Sequence, residues 1–83
     1  MTEQQISASI AATVAEVSDH VSSEDVTSEK EFVADLRVDS LAMVEVVVML
    51  EEEHGLRIPD EAVRQFRRVG DLEAYLREAV ARG

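Results

Sequence analysis

The segment DSLAMVEVVVMLEEEHG, residues 39–55, decides how the rest of the chain is read. It contains the longest apolar run and carries five carboxylates with no Lys or Arg. Asp39 is placed to cap a helix that runs to about His54 and stops at Gly55, a residue that enters the left-handed turn closing a helix without steric penalty. At about 100° per residue, Met43, Val46, Val47, Leu50 and His54 share one arc, the natural core face. Leu41, Val44, Glu45, Val48 and Glu52 fall on the opposite arc, with Glu51 at its edge. A helix apolar on nearly all sides is usually buried. A small bundle has too few elements to cover both faces, so the outer strip reads as a docking surface with an apolar centre and a charged rim. Ser40 stands at the first turn, where its hydroxyl projects away from the body.

Working outward, Thr2-Glu3-Gln4-Gln5 fits a capping box, and Ile6, Ile10, Val14 and Val17 recur on one stripe behind it. This predicts a first helix over about Glu3–Ser18. Residues 19–38 show no sustained period and are expected to form an ordered loop. Val21, Val26, Phe32 and Leu36 pin it to the core, and Ser28-x-x-Glu31 suggests a second capping box. After Gly55, Pro59 with Asp60-Glu61 favours a short helix to about Phe66. Gly70-Asp71 is expected to break and recap the chain before a final helix with Leu72, Tyr75, Leu76, Ala79 and Val80 on its inner stripe. The fold class is therefore all-α: a single-domain bundle over residues 1–83, of three main helices plus one short one, with a long ordered loop between the first two.

Composition excludes several functions. The 83 residues contain no Cys, so no disulfide and no thiolate metal site is possible. The net charge is −10 and uneven: residues 1–53 hold thirteen acids against Lys30 and Arg37, and residues 54–83 hold five acids against six Arg. Nucleic acid and anionic lipid are poor partners for the acidic part, and basic protein surfaces are good ones. The polar start MTEQQISAS lacks the order of a signal peptide, and Glu45 interrupts the longest apolar run. A soluble cytoplasmic protein, without membrane insertion, is expected. Hydrolysis at Ser40 needs a base and an oxyanion hole. The only imidazoles are His20 and His54, and no Gly-x-Ser-x-Gly elbow is present. His54 lies about 21 Å along the same helix at ~1.5 Å per residue, on its other side. No Asp-x-Asp-x-Asp-Gly loop is present, and no dedicated metal site is expected. Arg64, Arg67 and Arg68 read as an exposed face offsetting nearby acids.

Between about Val26 and Leu76 the chain resembles the acyl carrier proteins of dissociated (type II) fatty-acid synthesis. The resemblance rests on VTSEKEFVADL, on VDSLAMVEVVVMLEEEHGLRIPDEAV and on VGDLEAYL, in order and at family spacing. It implies an acyl-carrier-like four-helix bundle that is a carrier and not an enzyme. Ser40 would bear a covalent phosphopantetheine, attached by a phosphopantetheinyl transferase, whose thiol holds growing acyl chains as thioesters sheltered between the helices. Asp39, Leu41, Val44, Glu45, Val48, Glu51 and Glu52 would dock on basic patches of acyl transferases, ketosynthases, reductases and dehydratases, the carrier acting as a monomer. An anion on Ser40 also suits a helix N-terminus, where backbone N–H groups and the dipole favour negative charge.

Three positions depart from the family pattern. Arg37 stands where a small residue such as Gly is usual; it is expected to pair with Asp35 or Asp39, or else to reach an added phosphate. Ala42 lacks a carboxylate common at that place. His54 occupies a position usually held by an aromatic and is expected to weaken packing there. Two alternatives stay open at this point: a polyketide-pathway carrier, and an unmodified acidic adaptor for a basic protein.

Overall fold

A computed structural model describes residues 2–82. Among the described residues four helices form: α1 (Glu3–Val17), α2 (Ser40–His54), α3 (Asp60–Val63) and α4 (Val69–Arg82), with a 3₁₀ turn at Ser23–Asp25. The all-α bundle of three main helices and one short helix is the expected architecture. Its core is one cluster built by Ile6, Ile10 and Val14 of α1, Met43, Val46, Val47 and Leu50 of α2, and Val69, Leu72 and Leu76 of α4.

Helix α1 begins as its sequence dictates. The Thr2 hydroxyl accepts the Gln5 N–H and the Gln5 side chain accepts the Thr2 N–H, so two otherwise unpaired donors are satisfied reciprocally. Thr13 is buried within the helix, and its hydroxyl donates to the Ser9 carbonyl at 2.8 Å, which removes the cost of hiding it. The helix ends at Val17, and Ser18 caps it in extended conformation.

The loop before α2 is ordered by the four side chains expected to pin it, and by Val38, which is also buried. The second capping box forms six residues earlier than expected. Ser22 and Asp25 make it around the 3₁₀ turn, whereas Ser28 donates its hydroxyl to Glu73 of α4 at 2.6 Å. Glu73 also accepts from Ser7 of α1 at 2.6 Å, so one carboxylate ties together α1, the loop and α4. Glu29, exposed in this loop, is held below the usual carboxylate range chiefly by the Thr27 hydroxyl that donates to it.

The loop is further clasped to the α3–α4 junction. Phe32 N–H donates to the Arg67 carbonyl, Val69 N–H to that of Lys30, and Gly70 N–H to that of Ser28, all at 2.9–3.0 Å. Arg67 and Arg68 face Glu31 across this clasp at 3.3 and 3.9 Å. Gly70 does not break the chain; it lies in the first turn of α4. A Cβ there would stand 3.1 Å from the Ser28 carbonyl, so a glycine lets the two segments approach. Asp71 accepts both the Arg67 and Arg68 N–H groups and supplies the helix start. Helix α3 is shorter than expected, ending at Val63 and followed by a turn.

Candidate functional site

The site is set by the start of α2. Asp39 is its N-cap: Oδ1 accepts the Ala42 N–H and the Asp39 carbonyl accepts the Met43 N–H, both at 2.8 Å. Those bonds leave the Ser40 and Leu41 N–H groups with no protein acceptor among the described residues, as the first turn of a helix requires. Ser40 is exposed, and its hydroxyl has no hydrogen-bond partner among the described residues.

The two faces of α2 separate as expected. Met43, Val46, Val47 and Leu50 are buried, while Leu41, Val44 and Val48 are 70 %, 55 % and 44 % exposed. Glu45 and Glu52 flank this strip and are exposed. Glu51 is half-buried instead, and its Oε2 accepts the Ile58 N–H at 2.7 Å, fastening the α2–α3 connection. Val33, in the loop, is 72 % exposed and extends the apolar strip beyond the helix. Its position beside buried Phe32 is the one sequence cue, because neighbouring residues in a non-helical turn point to different sides.

Beside Ser40 opens a cavity of about 440 Å³, whose walls include Phe32, Met43, Val44, Val63 and Phe66, with Asp39, Asp60 and Arg64 also lining it. The chemistry fits a phosphopantetheine arm. A free hydroxyl would accept the phosphate, unpaired helix N–H groups would face the anion, and apolar walls would receive a hydrocarbon. When bound, the arm supplies a thiol that carries acyl groups as thioesters. Among the described residues no group of three or more His, Asp or Glu is disposed to hold a metal ion.

Neither imidazole serves Ser40. His20 hydrogen-bonds the Leu36 carbonyl at 3.0 Å. His54 lies 2.9 Å from the Ser9 hydroxyl, with its side chain only 3 % exposed. Ser9 also donates to Glu53 at 2.9 Å. The polar substitution at the end of α2 is thus absorbed by a partner on α1.

Arg37 departs from the first reading of it, an ion pair with Asp35 or Asp39. It adopts φ 55°, the left-handed region, and forms no ion pair with Asp35 or Asp39. Asp35 instead accepts the Glu31 N–H at 2.8 Å, and Asp39 is occupied as a cap. Arg37 lines a different cavity, with His20, Asp25, Lys30 and Asp35, and not the one beside Ser40.

Comparison with known proteins agrees with this geometry. Residues 8–76 match the family described as the phosphopantetheine attachment site. The chain is 43 % identical over 82 residues to the acyl carrier protein of Rhodococcus erythropolis, covering 99 % of this chain and 89 % of that one. It is 43 % identical over 79 residues to the acyl carrier protein of Acidothermus cellulolyticus, covering 95 % and 93 %. The meromycolate extension acyl carrier protein of Mycobacterium tuberculosis is 45 % identical over 78 residues, covering 94 % of this chain and 67 % of that one. The chain belongs to the phosphopantetheine-bearing acyl carrier proteins. The unmodified-adaptor alternative has no support in this match.

Proposed function

We propose that Ser40 is the residue that carries the arm in this acyl carrier protein of fatty-acid synthesis. The observation supporting this most strongly is the unpartnered, exposed Ser40 hydroxyl at the capped start of α2, beside an apolar cavity of about 440 Å³. In this reading the chain does no catalysis itself. Asp39 fixes the first turn, which presents the hydroxyl, and the cavity between the loop, α2 and α3 excludes water from hydrophobic cargo.

Leu41, Val44 and Val48 form the apolar centre gripped by partner enzymes, and Val33 adds to it. Asp39, Glu45 and Glu52 supply the rim that orients a basic patch during encounter. Glu51 contributes with its remaining oxygen, since Oε2 is engaged by Ile58. The partners are a phosphopantetheinyl transferase and the acyl transferases, ketosynthases, reductases and dehydratases that act on the bound chain. Each contact is brief, because a carrier that visits many enzymes must release each quickly. The protein works as a monomer in the cytoplasm; among the described residues no helix is long and apolar enough to cross a membrane.

The test is incubation with coenzyme A, magnesium and a broad-specificity phosphopantetheinyl transferase, followed by intact mass. Wild type gains a single phosphopantetheine increment and Ser40→Ala gains none. An increment that persists in folded Ser40→Ala would overturn the assignment.

A further inference from the structure

A phosphodiester placed on Ser40 would add negative charge to a cavity whose lining already includes Asp39 and Asp60. Among the described residues, Arg64 is the single cation lining that cavity. The three arginines that read as one solvated face in the sequence are not equivalent. Arg67 and Arg68 both face Glu31, whereas Arg64 is exposed and has no carboxylate within ion-pair distance among the described residues. Arg37, the nearest cation to Ser40 in sequence, belongs to another cavity.

We infer that Arg64 is a positioning residue for the arm, pairing with the phosphodiester on Ser40 and laying the arm's first segment across the mouth of the apolar cavity. Three features support this. A guanidinium is permanently charged and binds phosphate oxygens through paired N–H donors. Arg64 follows α3 directly, as its C-cap, and lines the same cavity as Ser40, so α3 and the start of α2 bring the two residues to one cavity. A third anion in this cavity also needs a counter-charge, and the Asp39 Oδ1 atom is already committed to the helix cap. Pairing across the cavity links α3 to the start of α2 only when the arm is present. The inference rests on attachment at Ser40.

The experiment uses holo-protein of wild type, Arg64→Ala, Arg64→Gln, Arg64→Lys and Arg57→Ala, with intact mass confirming the arm in each. Arg57 is a second arginine outside the ion pairs, lining a separate cavity with Glu51 and Glu61. The phosphorus NMR resonance of the phosphodiester is recorded at ~10 mM and ~1 M salt, which spans weak to nearly complete screening. In wild type the low-salt resonance is displaced from its high-salt position. Arg64→Ala and Arg64→Gln abolish the displacement, Arg64→Lys retains part of it, and Arg57→Ala retains all of it. The apo forms of all variants melt together, which separates a contact with the phosphate from a structural role. A low-salt resonance in Arg64→Gln identical to wild type overturns the inference, and so does loss of the displacement in Arg57→Ala. If wild type takes up no arm, the Ser40 reading fails first and carries this one with it.

Discussion

At the scale of single residues, Arg37 and His54 show how a departure from a family pattern is absorbed. His54 finds the Ser9 hydroxyl at 2.9 Å, so a polar ring is accommodated where the sequence suggests weak packing. Among the described residues Arg37 finds no such partner. Its φ of 55° puts Cβ close to the following carbonyl, a conformation that costs a non-glycine residue about 1–2 kcal/mol. Glycine relieves that cost and loses part of the gain to its larger unfolded-state entropy. Arg37→Gly is therefore expected to stabilise the protein by about 0.5–1 kcal/mol, read from the urea midpoint at unchanged slope. A lower midpoint would mean that the guanidinium has a stabilising role that its exposure conceals. Since Arg37 does not line the Ser40 cavity, the same variant is expected to leave the modification rate unchanged.

At the scale of elements, α2 does two jobs with one sequence, burying Val46 and Leu50 while exposing Leu41 and Val44. In the proposed docking role, the exposed rim would act mainly on encounter. Glu45→Lys with Glu52→Lys is expected to slow association with the phosphopantetheinyl transferase by about tenfold at low salt, with the difference shrinking at high salt. Stopped-flow association rates measure this; equal rates at low salt would remove these carboxylates from the docking rim. The helices themselves were legible because their signals are local. Thr2 with Gln5, Asp39 before the apolar run, and Gly55 after it each act within one turn. What escaped local reading depends on distant partners. Ser22 and Ser28 both precede an acid by three residues, and Ser28 is drawn out of a capping role by Glu73, far along the chain. Gly70 has the composition of a helix break, yet its role is to admit the Ser28 carbonyl. Arg64 and Val33 became part of the site only once α3 and the loop were folded beside Ser40.

At the scale of the molecule, which extends 33 × 25 × 20 Å, the charge asymmetry is folded onto itself. The ion pairs of Arg77 with Glu3, and of Arg67 and Arg68 with Glu31, bring cations of the C-terminal third to acids of the N-terminal part. Such exposed pairs contribute about 0–1 kcal/mol each, and a net charge of −10 remains. Screening that excess relieves self-repulsion. Magnesium added at low ionic strength is expected to raise the melting temperature, by about 4–8 °C for each ~1 kcal/mol gained in a domain of this size. An unchanged melting temperature would mean that the acids are too far apart to repel appreciably. Attachment of the arm at the Ser40 hydroxyl is read by fragment-ion mass spectrometry of the proteolysed holo-protein. The phosphopantetheine increment is expected on Ser40 alone; its appearance on any other serine, such as Ser28 or Ser23, would overturn the assignment.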